Sequence, residues 1–307
     1  MHNCPVVTDI RTHFPEANID WVAEEAYQPI PALHPGVRRV IPIAWRRWRK
    51  HLFNPSVQKE MRRFHRTLID EHYDLVLDTQ GLLKSAIVCK LSKTLCSVGG
   101  DFRSAKEGIA SWFYDKRLSI AKSCHAIDRC RAVAAGALGY SIDTPPRYGI
   151  RAEPLCADWL PDGPYAALIH AASRPEKLWP ETSWIEVGRL LLNQGVVPVL
   201  PWGNPDEQAH SYHLAAALEE AVVPPFMALD TAARFLSGAT IVIGLDTGIT
   251  HLAAALGRPT IGIFCDSDKE QTGVVGDGRC VSFGEKGNPP ELSAILDGAA
   301  RMLEKAS

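Results

Sequence analysis

Thr240-Ile241-Val242-Ile243-Gly244-Leu245-Asp246-Thr247-Gly248-Ile249-Thr250-His251 is the stretch on which the reading of the fold turns. Its first six residues form a continuous apolar run, as expected of a strand buried on both faces of a parallel sheet. Asp246-Thr247-Gly248 interrupts the run, and helical spacing follows over 249–256. A strand passing through an acid, a hydroxyl and a glycine into a helix brings unpaired backbone N–H groups and the positive end of a helix dipole to one spot. Gly248 lets a ligand approach the backbone closely, and such a helix start binds phosphate or diphosphate without a metal. His251 adds a donor in the first turn. The competing reading is that Asp246 or Thr247 only caps the helix.

The same alternation continues outward. Strands are expected at 165–170, 195–200 and 260–264, and helices at 179–193, 207–220, 231–236 and 291–305. In the last of these Leu292, Ile295, Leu296 and Leu303 share a face. In the first half, Pro5, Val6, Ile10 and Phe14 have helical spacing, 18–23 and 40–43 read as strands, and a basic helical region ends near Ile69. A buried strand at 73–78 turns through Gln80-Gly81 into a helix at 86–91. The Pro- and Gly-rich stretch 138–164 reads as a linker. Parallel strands alternating with helices predict an α/β chain of two Rossmann-like domains, 1–149 and 155–307, facing a cleft at the carboxyl ends of the strands.

Composition agrees with two such domains. The chain has 307 residues, 46% hydrophobic and 22% charged, the balance of an ordinary globular enzyme. No apolar run approaches the ~20 residues of a membrane span. The N-terminus lacks the pattern of a signal peptide, so the expected location is cytoplasmic. Eight cysteines without a Cys-x-x-Cys pair suggest reduced thiols, and neither a zinc site nor a cofactor is expected.

The net charge of −2 hides an uneven distribution. Between positions 38 and 66 lie ten Lys and Arg residues against one acid, Glu60, with Trp45, Trp48, Phe53 and Phe64 interleaved. A field of this sign attracts a polyanion: nucleic acid, a phosphorylated glycolipid or an anionic membrane surface. The alternative is a pair of solvated helix faces.

Other strand ends carry further candidates. Lys177 follows His170-Ala171-Ala172-Ser173-Arg174 and could clamp phosphate. Glu207, beyond Pro201-Trp202-Gly203, could meet a ligand or simply cap a helix. Met227 reads as packing on its own. Asp266-Ser267-Asp268 is a weak divalent-metal pattern.

Taken together, His170-Ala171-Ala172-Ser173-Arg174, Lys177-Leu178-Trp179-Pro180, Leu200-Pro201-Trp202-Gly203, the Asp246–Leu252 run, Arg46-Arg47-Trp48-Arg49-Lys50, Asp78-Thr79-Gln80-Gly81 and Ser111-Trp112-Phe113-Tyr114 resemble the type I lipopolysaccharide heptosyltransferases of glycosyltransferase family 9. The resemblance covers nearly the whole chain in order. It implies a GT-B fold and metal-independent, inverting transfer of L-glycero-D-manno-heptose from ADP-heptose to the Kdo of Kdo2-lipid A, at the inner face of the inner membrane. By position, Ala172, Ser173, Lys177, Glu207, Met227, Asp246, Thr247, Gly248 and His251 would surround the donor. Ala172 stands where the family tends to have Thr. Arg46, Arg47, Arg49, Lys50, Arg62 and Arg63 would meet the anionic acceptor, and no nucleic acid partner is implied. Family members open with a strand, a glycine-rich loop and a Gly-Asp pair whose Asp is the presumed base. The resemblance places His2-Asn3-Cys4-Pro5 beyond that point, so the first strand, the loop and the base are expected to be absent from this chain, because its true start lies upstream of Met1 or, as the second explanation, because the gene is truncated. A catalytically impaired ADP-sugar-binding remnant is the alternative.

Overall fold

The computed structural model describes residues 1–304. It divides into two compact units: His2–Gly149, and Ile150–Ser307 together with Met1.

The second unit is built on a five-stranded, all-parallel sheet in the order β10-β9-β8-β6-β7. Its strands are β6 (Tyr165–Ile169), β7 (Val197–Val199), β8 (Ile241–Leu245), β9 (Thr260–Phe264) and β10 (Cys280–Gly284). Every residue of β6, β8 and β9 is buried, the outcome expected of continuous apolar runs covered on both faces. Ala166, Leu168, Ile241, Ile243, Leu245, Ile261 and Ile263 share a core with Trp184, Val187 and Leu191 of α7 (Glu181–Asn193), Leu214 of α8 (Pro205–Ala216) and Ile295 and Ala299 of α12 (Leu292–Glu304). The alternate strand residues face the other way. There Gly244 lies under Thr250 of α10 (Gly248–Ala255), where a Cβ would collide with the threonine hydroxyl. Helices α9 (Leu229–Gly238) and α11 (Lys269–Thr272) complete the unit. Position 305, the expected end of the last helix, lies outside the described residues.

The first unit contains α1 (Cys4–His13), β1 (Ile19–Glu24), α2 (Pro29–Ala32), β2 (Val37–Ile43), α3 (Trp45–Trp48), α4 (Pro55–Ile69), β3 (Val76–Asp78), α5 (Leu83–Leu91), β4 (Ser97–Gly100), β5 (Lys116–Leu118) and α6 (Ala126–Leu138). Its parallel strands form two sheets rather than one Rossmann sheet: β1 pairs with β2, and β3-β4-β5 stand in that order. Among the described residues no strand joins β1 to β3. Ile41, Ile43, Trp48, Val57, Phe64 and Leu68 fuse β2, α3 and α4 into one core. A buried pair binds α1 to α6: Arg131 Nε and Nη2 donate to the two oxygens of Asp9 at 2.7 and 3.1 Å.

Several boundaries differ from the sequence reading, each for a local reason. The strand expected over 73–78 is regular only from Val76, with Tyr73 making an isolated bridge to Thr94. Asn204 caps α8 and Pro205 takes its first position, so that helix starts before Glu207 and ends at Ala216. Strands β4, β5 and β10 carried no readable pattern. Ser97-Val98-Gly99-Gly100 is small rather than apolar, and the Tyr114 ring fills the space over Gly99. Helix α6, which no expectation above covers, ends at Gly139 with φ 79°, a helix terminator of a readable kind.

Candidate functional site

The order β10-β9-β8-β6-β7 reverses direction between β6 and β8, because the chain moves from β6 to β7 on one side and then returns to β8 on the other. Loops leaving adjacent strands at such a point diverge and leave a crevice at the carboxyl ends. The loop after β6 carries Ala172, Ser173 and Lys177; the turn after β8 carries Asp246 and Thr247.

Lys177 and Asp246 meet there. The Lys177 ammonium donates to Asp246 Oδ2 at 2.6 Å and to the Asp246 carbonyl at 3.2 Å. The other carboxylate oxygen is 3.1 Å from His251 Nε2. The three side chains are only 18%, 12% and 7% exposed for Lys177, Asp246 and His251. Burial alone would raise the Asp246 carboxyl. Hydrogen bonds from His251, Lys177 and Ser267, with the charge of Lys177, outweigh it and hold the group well below the ordinary carboxylate range. Asp246 is therefore a fixed anion that orients a cation and an imidazole at one helix start.

That start is α10. Thr247 is its N-cap, with Oγ1 accepting from the Thr250 amide at 3.5 Å, and the Thr250 hydroxyl donates to the Leu245 carbonyl at 2.6 Å. Capping thus falls to Thr247, while the first-turn amides of Gly248 and Ile249 have no intrahelical acceptor. Gly248 is exposed, and a Cβ there would meet only the Met1 side-chain methyl at 3.8 Å.

The remaining donor candidates differ in what holds them. Ala172 is partly buried and Ser173 exposed on the loop after β6. Glu207 is engaged in its own helix: Oε2 accepts from the Gly203 amide at 2.8 Å and Oε1 from Asn204 Nδ2 at 2.7 Å, while Asn204 Oδ1 accepts from the Glu207 amide at 3.0 Å. That reciprocal cap is the structural role weighed for it from sequence. Met227 is partly buried beside Phe226, which is 59% exposed and leans on Trp202 with ring centroids 5.6 Å apart. Trp202 is fixed by donating to the Pro224 carbonyl at 2.8 Å. Half-buried Trp202 and exposed Phe226 form an aromatic surface beyond the end of β7, which carries no signal in the sequence reading above.

The Asp-Ser-Asp segment has a different use from metal binding. Asp266 pairs with Arg174 at 3.1 Å, Ser267 bonds Asp246, and Asp268 caps α11. Among the described residues no group of three or more metal-ligating side chains occurs.

A second polar network lies at the end of β6. His170 is fully buried, with Nε2 2.9 Å from the Ser211 hydroxyl and Nδ1 2.9 Å from Nδ1 of His210. His210 Nε2 is 3.2 Å from Glu181. Burial, and secondarily His210, push the His170 pKa down to about 3. This chain of contacts ties α7 and α8 to the strand that launches the Lys177 loop.

In the first unit, the basic segment is less uniform than its composition suggests. Arg38 and Arg39 both grip Asp20, and Arg38 also reaches Glu71 at 3.2 Å. Arg47 pairs with Glu25 at 3.0 Å and Glu60 at 2.8 Å. The count of ten cations against one acid overlooked acids supplied by neighbouring segments. Arg46 lies over the Tyr27 ring, its guanidinium carbon 5.3 Å from the centroid. Arg49, Lys50, Arg62 and Arg63 are exposed, and no acid lies within ion-pair distance of them among the described residues.

A family model described as glycosyltransferase family 9 (heptosyltransferase) matches residues 61–294. The chain belongs to glycosyltransferase family 9. It is 39% identical to the lipopolysaccharide heptosyltransferase 1 of Escherichia coli K12 over 309 aligned residues, covering 100% of this chain and 95% of that protein. It is 40% identical to the enzyme of that name from Pseudomonas aeruginosa, over 90% of this chain and 78% of the relative. The solved E. coli heptosyltransferase WaaC with ADP superposes with a TM-score of 0.87 at 37% identity, covering 100% of this chain and 95% of that one. E. coli ADP-heptose lps heptosyltransferase II gives 0.76 at 18% identity over 99% and 95% of the two chains, a likeness of fold alone. The α/β fold is thus GT-B, and the chain is a heptosyltransferase of family 9.

Proposed function

We propose that this family 9 enzyme transfers L-glycero-D-manno-heptose from ADP-heptose to the Kdo of Kdo2-lipid A in the building of the lipopolysaccharide inner core. The observation that carries the donor half is the Lys177–Asp246–His251 constellation at the open start of α10. First-turn amides and the helix dipole favour a diphosphate there. Lys177 supplies a preorganised positive charge as the ADP leaving group develops its own negative charge. Because Asp246 already anchors the ammonium, little reorganisation is needed when the sugar–phosphate bond breaks. Ala172 and Ser173 border the same crevice through the loop they share with Lys177, and Ala172 can offer only backbone contacts. The Trp202–Phe226 surface, with Met227 and Glu207 nearby in sequence, suits the nucleoside.

The acceptor hydroxyl attacks the anomeric carbon opposite the diphosphate, inverting the centre while a base removes its proton. The residue acting as that base is unassigned. Arg46, Arg49, Lys50, Arg62 and Arg63 face the anionic acceptor in this reading, whereas Arg47 is committed to Glu25 and Glu60. No helix among the described residues is long and apolar enough to cross a membrane. In this reading the enzyme works as a peripheral protein on the cytoplasmic face of the inner membrane, where its lipid-linked acceptor lies.

Steady-state release of ADP from ADP-heptose, with an acyl-trimmed Kdo2-lipid A as acceptor, tests the proposal. Lys177→Ala is expected to lower kcat by about 10²–10³-fold, the usual loss on removing one stabiliser of developing charge. An unchanged rate would dismantle the donor site.

A further inference from the structure

We propose that the turn carrying Leu52 and Phe53, between α3 and α4, is a membrane anchor that inserts into the head-group region of an anionic phospholipid bilayer. Phe53 is 94% exposed and its neighbour Leu52 48% exposed. Single exposed apolar residues are common, but two in succession at the tip of a turn are not explained by lack of space in the core. The turn is held firmly. The His51 amide bonds the Trp48 carbonyl at 2.9 Å, the Asn54 amide bonds the His51 carbonyl at 2.9 Å, and Gln58 Nε2 reaches the Leu52 carbonyl at 3.4 Å. Asn54 then caps α4, and Trp48 packs edge-on against Phe64 beneath.

Charge around the tip specifies the partner. Arg49 and Lys50 precede it and are exposed. On α4, Val57, Phe64 and Leu68 point into the core, so Lys59, Arg62, Arg63 and Arg66, at i, i+3, i+4 and i+7, form a stripe on the opposite face. None of these six has an acidic partner at ion-pair distance among the described residues, unlike Arg38, Arg39 and Arg47. An aromatic tip or a cationic patch alone attaches weakly to a membrane; together they supply the two signals that stable peripheral attachment needs. The three most exposed of the other phenylalanine and tryptophan side chains fit less well. Phe226 belongs to the surface with Trp202, and Phe102 and Trp112 line a hollow of mixed charge with Asp101, Arg103 and Arg117 rather than standing at the tip of a turn.

The proposal deepens the peripheral attachment described above, yet binding to lipid can be read separately from sugar transfer. The full chain is titrated with vesicles of phosphatidylglycerol and phosphatidylethanolamine that contain no lipopolysaccharide, and with phosphatidylcholine vesicles. Binding is expected only to the anionic vesicles and to weaken as salt rises. Phe53→Ser is expected to lose about tenfold in vesicle affinity, roughly the transfer of one aromatic ring. Phe53→Trp is expected to bind as the parent and to shift its indole emission to shorter wavelength on anionic vesicles. Transfer to a deacylated, water-soluble acceptor should be unaffected by Phe53→Ser. Equal vesicle binding by the parent and Phe53→Ser, an unmoved indole emission, or no binding of the parent at low salt would each overturn the anchor. Loss of heptose transfer by the parent, with the vesicle pattern intact, would overturn the transferase reading and leave the anchor standing.

Discussion

Asp246 divides its carboxylate between Lys177 and His251, so a substitution there acts on both. Asp246→Ala leaves a largely buried ammonium without its anion. It should cost about 3 kcal/mol in urea unfolding, besides weakening ADP-heptose in calorimetry. Lys177→Ala should weaken the donor as well, and similar affinity in both variants and the parent would separate these residues from the ligand. The neighbouring His170 predicts a pH effect. Its folded pKa is depressed to about 3 by burial and by His210, while the unfolded chain titrates near 6.5. Above about 6.5 both states are neutral and the stability is fully present. As pH falls from there towards 3 the unfolded chain takes up a proton that the native site refuses, and stability is lost at up to ~1.4 kcal/mol per pH unit. Urea midpoints between pH 8 and 5 should decline less steeply in His170→Gln; parallel curves would remove His170 from the explanation.

The cap of α8 supplies a test at the level of an element, because Glu207 is both a donor candidate and half of a reciprocal cap with Asn204. Asn204→Ala should cost about 1 kcal/mol through the helix end alone. Glu207→Gln retains an acceptor for the Gly203 amide and should keep nearly all stability. If it also keeps full ADP-heptose affinity by calorimetry, Glu207 serves only the helix. The elements themselves were legible wherever one physical signal dominated. The unbroken apolar runs of β6, β8 and β9 announced strands buried on both faces, and the Asp246-Thr247-Gly248 break announced the start of α10. Legibility ended where burial arises from fit. Strand β4 is buried because Gly99 admits the Tyr114 ring, which depends on a contact far along the chain. The same limit applied to the site: Lys177 was readable as a cation on a strand-end loop, but its bond to Asp246 spans 69 residues. Ser267 was hidden inside a metal-like pattern, and the His170–His210–Ser211 network had no local signature.

Across the whole molecule, the near-neutral charge of −2 conceals a basic region whose cations fall into two classes. Arg38, Arg39 and Arg47 are neutralised by Asp20, Glu71, Glu25 and Glu60, several of them from outside the basic stretch. Arg49, Lys50, Arg62 and Arg63 are exposed to whatever approaches. Composition counts both classes alike, but only unpaired charges contribute fully to the field felt by an anionic acceptor. Two variants separate them. Arg47→Gln should lower thermal stability only slightly, since its pairs with Glu25 and Glu60 are solvent-exposed and screened. It should leave the KM for lipid acceptor near the parental value. The double variant Arg62→Gln/Arg63→Gln should leave stability and the KM for ADP-heptose unchanged. At ~1 kcal/mol for each basic residue near an anionic surface, it should raise the acceptor KM by about tenfold or more at low ionic strength. The gap between parent and double variant should close as salt is added, because screening removes from the parent what substitution has already removed from the variant. A gap that persists at high salt would mean that these arginines make directed contacts with the acceptor rather than supply a diffuse field.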